Sequence, residues 1–264
     1  MKTITRLCFG IWSLLIFTGI TYAESSGKAS AYYDFGVFAY QDGDYQDAEK
    51  NLKKAVELDN SNPFYHHFLG KVYLKAGDYV RAAQYLNTAW QKNPDIPELR
   101  YDRAMLYFKT EHYAEASELF TEVFRKEPSH VLARYHAAVS LFKEKRSADA
   151  IVHFEEIAKT HKSLSDNCYL YAGACYLENW DFQKAIDTFE YLRNHSGSED
   201  MKQAAAKWLD TARKQQQRFK PYTLYLKTSY QHDDNVRLQP SDASEDTKDQ
   251  VFEAYLFGKY NFNQ

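Results

Sequence analysis

Nine histidines, three cysteines and one acidic cluster are the side chains with which this chain of 264 residues could do chemistry. Their spacing argues against most of it. A metal site needs ligands that converge. His66 and His67 are adjacent, so on a helix they point about 100° apart. His130 with His136, and His153 with His161, lack the spacing of a tight helical pair, and all read as surface or groove residues. Cys168 and Cys175 lie seven apart on one predicted helix. Their Cα atoms are then about 10 Å apart, beyond the roughly 7 Å reach of a disulfide. They read as small packing residues. Asp233, Asp234 and Asn235 lack the alternate spacing of a calcium loop and read as a solvated turn. No glycine-rich phosphate loop, zinc-protease helix or nucleophile elbow is present. The chain reads as non-enzymatic, with no cofactor and no metal.

The elements that position these residues follow one spacing. Ala48, Ala82, Ala116 and Ala150 stand 34 residues apart, and Ala185 follows after 35. Gly36, Gly70, Ala104, Ala138 and Gly173 repeat with them, as do Leu52, Leu86, Phe120, Phe154 and Phe189. Tyr45, Tyr79, Tyr113 and Phe182 hold the aromatic place, with Ser147 the exception. Small residues at two places let antiparallel helices approach closely, and the large ones fill the space around that contact. One such pair cannot bury its apolar face alone, so the units must stack. The spacing predicts helix pairs over 29–42 and 45–58, 63–76 and 79–92, 97–110 and 113–126, 131–143 and 147–160, and 166–179 and 182–194. A helix from Glu199 to about Phe219, with Met201, Ala204, Ala205, Trp208, Leu209 and Ala212 on one stripe, reads as the cap of the last pair.

This register resembles the tetratricopeptide repeat (TPR) family, whose period is 34 residues. The resemblance implies an all-α fold: a right-handed solenoid of five helix-pair repeats plus a capping helix. It also implies a binding groove, lined by the second, fifth, ninth and twelfth places of each first helix. Carried over, the groove residues are Tyr33, Tyr40, His67, Lys71, Tyr101, Met105, Phe108, Tyr135, Val139 and Phe142. Val37, Phe64, Leu74, Glu98, Leu132, Asn167, Leu170, Ala174 and Leu177 complete the wall. Tyrosine and methionine give large contact area at modest entropy cost. The implied partner is an extended or helical segment of a client protein or peptide, held through apolar side chains. The alternative at this point is that the groove is narrow and these side chains pack on one another.

The net charge is −3, with no basic block, so nucleic acid is not an expected partner. Residues 1–23 read as a secretory signal peptide: Lys2 and Arg6, an apolar run from Leu7 to Ile20, then Thr21-Tyr22-Ala23. The alternative is an uncleaved anchor. Residues 24–219 form the solenoid domain. After Pro221 the period changes to two, in Tyr222–Tyr230 and again in Val251–Phe262. Residues 220–264 therefore read as a short antiparallel β-hairpin resembling the start of an outer-membrane barrel. KPYTLYLKTSYQHDDNVRLQP, with Asp233-Asp234-Asn235-Val236 at its centre, resembles the junction in the surface lipoprotein assembly modifier family, which joins periplasmic TPRs to such a barrel. That resemblance implies a role in surface protein export or assembly, in the periplasm and in association with the outer membrane. A soluble periplasmic adaptor and the periplasmic part of a polysaccharide-export porin are the alternatives.

Overall fold

In the computed structural model, residues 27–219 are described in full and residues 223–232 and 250–259 by their backbone. Eleven helices occupy 27–219. The first, α1, covers residues 27–41. It pairs with α2, Tyr45–Leu58. Then come α3 (Pro63–Ala76) with α4 (Tyr79–Lys92), and α5 (Leu99–Lys109) with α6 (Tyr113–Lys126). α7 (Val131–Lys143) pairs with α8 (Ser147–Thr160), and α9 (Lys162–Glu178) with α10 (Phe182–His195). The closing helix α11 spans Glu199–Arg218.

The repeated positions are the core. The five alanines of the second helices and the five large residues from Leu52 to Phe189 are all fully buried. The close approach of paired helices is visible at Gly70, where an added Cβ would stand 2.7 Å from Leu86 Cδ2. Each pair turns through one left-handed residue, at Gly43, Gly77, Glu111, Lys145 and Trp180. Asp44, Asp78 and Asp181 follow and cap the next helix through a side-chain oxygen. Ala205, Leu209 and Ala212 bury the inner stripe of α11, and Trp208 stacks on Phe189 at 5.9 Å.

Besides α1, which is already helical at residue 27 rather than 29, two helix starts differ from expectation. α5 begins at Leu99, two residues late, because Pro94 and Pro97 bracket a loop that ends with Glu98 at φ 63°. α9 begins at Lys162, four residues early, since no proline separates it from α8.

The expected fold class requires a larger correction. The folded body is an all-helical solenoid with no strand in it. The strands β1 (Thr223–His232) and β2 (Gln250–Lys259) lie beyond it in sequence and pair only with each other, Thr223 opposite Lys259 and His232 opposite Gln250. No third strand joins them among the described residues. A membrane barrel requires closure, and no closed sheet is found among the described residues. Period-two alternation reports a pleated segment, not what its neighbours will be. The expected leader over 1–23 and the Asp233–Val236 turn lie outside the described residues. No described helix is long and apolar enough to cross a membrane.

Candidate binding groove

The wall of first helices is tied together by a position that the repeat pattern did not single out. The sixth place of each first helix reaches back to the preceding one. Phe68 of α3 meets Tyr33 and Tyr40 of α1, at 5.3 and 6.4 Å between ring centroids. Asp102 of α5 meets His67 of α3, with Asp102 Oδ2 2.7 Å from His67 Nε2. His136 of α7 lies against Tyr101 and Phe108 of α5. Tyr171 of α9 lies against Tyr135 and Phe142 of α7, and stacks on Phe154 with 8° between planes. These residues recur at the same 34- or 35-residue spacing, which is the signal by which they could have been found.

These inserted side chains decide what the predicted groove residues present. Tyr33, Tyr40, Tyr101, Phe108, Tyr135 and Phe142 are partly buried, with their rings on neighbours rather than standing free, and Met105 is partly buried against the cluster around Phe120. His67 and Val139 are buried, as is His66, and offer no surface to a partner. The reason for His67 is its ion-pair geometry with Asp102; for Val139 it is the α7–α8–α9 core around Phe154 and Tyr171. His136 too is mostly buried rather than a surface residue. At the second place of the wall, Phe64 and Leu132 stand exposed.

The wall divides by character. Across α3 and α5 it is charged. Lys71 donates to Glu98 at 2.8 Å, lies 3.8 Å from Asp102, and sits over the rings of Phe68 and Tyr40. Burial disfavours the Lys71 ammonium, but Asp102 and Glu98 more than offset it, so its pKa is held above the ordinary lysine value. The hydrogen bond from Lys71 holds the Glu98 carboxyl below its usual range. From Tyr101 of α5 onward the wall is mainly apolar. Burial pushes the Tyr101 hydroxyl up to about 12. The thiols of Cys168 and Cys175 are free, buried and also pushed up to about 12, mainly by burial, so they are inert at neutral pH.

At its C-terminal end this apolar half opens into a cavity of about 500 Å³. Phe142, Ala174 and Leu177 of the wall line it together with Trp180, Phe182, Trp208 and Phe219, and Glu178, Gln215 and Arg218 are also on its lining. Trp180 is largely exposed and holds the left-handed turn at φ 62°. Its ring lies 5.0 Å from Phe219. Sequence reasoning missed Trp180 and Phe219; the signal was a tryptophan in the turn place that holds glycine in the first two repeats. No group of metal-binding side chains is found among the described residues.

Two repeat-family models match the chain: one described as a tetratricopeptide repeat over residues 73–141, and one as a TPR repeat over 39–77. No curated protein matches at a significant level. Among solved structures, MamA (41-end) from Desulfovibrio magneticus RS-1 is similar, with 17% identity and a TM-score of 0.59, over 66% of this chain and 97% of that one. YrrB, described as a TPR protein with an unusual peptide-binding site, gives 19% and 0.60 over 67% and 90%. MamA AMB-1 gives 21% and 0.59 over 64% and 99%. At such identities the likeness is one of fold. Residues 39–141 are tetratricopeptide repeats by these models, and the same register runs on in sequence through α10.

Proposed function

We propose that this chain is an exported, non-enzymatic scaffold whose first-helix wall holds a segment of a partner protein through apolar side chains. The observation that carries the reading is the apolar cavity at the end of the wall, lined by Phe142 and Leu177 together with Trp180 and Phe219. A cavity of this size and lining suits an aromatic or long aliphatic anchor. Exposed Leu132 on the neighbouring repeat extends the apolar path. YrrB, of similar fold, has a peptide-binding site by its description, which supports a segment rather than a small molecule as the occupant. The charged half of the wall is committed internally: Lys71 is shared between Glu98 and Asp102, and His67 holds Asp102. It is therefore not free to clamp a partner's terminal carboxylate. The leader-like residues 1–23 support export to a periplasm.

Peptide display selection on the purified chain tests the site. Enriched sequences carry a Trp, Phe or Leu anchor. Phe142→Ala combined with Trp180→Gly weakens the selected peptide by at least about tenfold, the scale of one lost hot-spot contact. Far-UV circular dichroism stays unchanged, because glycine suits the turn at 180. Unaltered binding by the double variant would remove the cavity from the reading.

A further inference from the structure

In every repeat after the first, the third, seventh and tenth places of the first helix pack on the second helix of the repeat before. Tyr65, Leu69 and Val72 of α3 are buried there, in clusters with Ala48, Leu52 and Ala55 of α2. Ala133 and Ala137 of α7 are buried with Ala116 and Phe120 of α6. Cys168, Ala172 and Cys175 of α9 are buried with Ala150, Phe154 and Ile157 of α8. In α1 the same three places hold Ala31, Phe35 and Phe38. All three are exposed, Phe35 at 61% and Phe38 at 65%. A solenoid stays single when its end repeats turn a polar face outward. The far end obeys this, since the outer side of α11 shows Gln203, Lys207, Asp210 and Lys214. The near end turns out its two phenylalanines on the face that every later repeat covers.

We infer that this face is covered by a second copy of the chain, α1 packed antiparallel against α1 about a two-fold axis beside Phe35. The exposed stripe is Lys28, Ala31, Phe35, Phe38 and Asp42, spaced three, four, three and four, which is the spacing of a helix-pair seam. Asp42 still belongs to the helical ladder, its N–H donating to the Phe38 carbonyl at 3.0 Å. A contact between identical faces must be self-complementary. Reversing the stripe about Phe35 sets Ala31 opposite Phe38 and Lys28 opposite Asp42. Small meets large twice, and cation meets anion twice. A parallel pair would set Lys28 on Lys28 and Asp42 on Asp42.

The inference rests on the export reading in one respect. If the leader leaves after Ala23, only Glu24–Ser26 precedes α1. That is about 10 Å of extended chain, too short to fold back along a 15-residue helix about 22 Å long. The polar outer face of α11 offers no apolar seat for Phe35 and Phe38, which disfavours head-to-tail stacking. The seam is a single helix pair, flanked by exposed Tyr32, so the dimer belongs with the small interfaces and dissociates readily on dilution.

The test uses the chain recovered after export from cells, with intact mass giving the start residue and native mass spectrometry and sedimentation giving the assembly. The result expected is a chain beginning at Glu24 that forms a dimer. Phe35→Asp with Phe38→Asp raises its dissociation constant at least about 100-fold, with helicity unchanged, since both rings are exposed in the single chain. Lys28→Asp and Asp42→Lys each weaken the dimer, and together they restore it. A monomeric leader-free chain overturns the inference, as does a dimer indifferent to Phe35→Asp or one that the paired charge swap fails to rescue. A monomer that keeps residues 1–23 and shields Phe35 overturns it differently: the leader itself is then the cover, and the export reading falls with it, while the peptide selection on the cavity is untouched.

Discussion

His136 shows how much a single side chain can be asked to do inside a repeat wall. Its ring stacks on Phe120 and lies against Tyr101, Phe108 and Tyr135, and its Nδ1 is buried with no hydrogen-bond partner among the described residues. Burial, then the charges of Lys109 and His130, lower its pKa to about 4. The folded value lies below the unfolded one, near 6.5, so the folded chain is neutral where the unfolded chain takes up a proton. Stability is full above about pH 6.5 and falls as the pH drops towards 4. At about 1.4 kcal/mol per unit the loss approaches 3 kcal/mol. His66 and His153, lowered chiefly by burial, act in the same direction. Urea midpoints at pH 7 and pH 5 should therefore differ, and His136→Phe should narrow that difference measurably. A variant with the full wild-type slope would assign it to other groups. Histidine spacing could not reveal this. Spacing reports which face of a helix a residue shares, and says nothing of what the next repeat lays across it.

At the scale of the element, the turns between paired helices carry a cost that varies along the chain. All five use a left-handed residue, and only Gly43 and Gly77 take it freely. An added Cβ at Gly77 would meet nothing within 4 Å, so Gly77→Ala tests the backbone alone. We expect it to cost about 1 kcal/mol. The reverse change, Glu111→Gly, relieves a left-handed non-glycine residue at φ 62° on an exposed turn and should stabilise by about the same amount. Thermal midpoints of the two variants should move in opposite directions. Helix pairs were legible in the sequence because five registers agreed, and small, large and aromatic places reinforced one another. The starts of α5 and α9 were not, because they depend on a loop conformation at Glu98 and on a missing proline, both outside the repeated positions.

Across the whole molecule, each repeat touches mainly its neighbours, so stability is a chain of local terms. The C-terminal link rests on Leu209, buried among Leu177, Phe182, Ile186 and Phe189. Leu209→Ala removes about 3 kcal/mol there. Hydrogen exchange should accelerate first in α11 and α10 and leave α3 and α4 close to wild type; uniform acceleration would mean that the solenoid opens as one unit. The barrel expectation finds no support at this scale. Alternating residues in 222–230 and 251–262 announce strands, but closure is a property of partners that no pair of strands contains. The apolar groove was legible only as a row of positions. Which rings stand free was set by the sixth-place residues between first helices. Those same wedges differ in bulk: phenylalanine, aspartate, histidine, tyrosine along the chain. The space between successive first helices is filled by a ring at three of the four junctions and by a short charged side chain at the other, Asp102 on His67. The fit between neighbouring repeats is thereby set one junction at a time, and a change of wedge is a route to reshaping the surface a partner must follow without touching the partner at all.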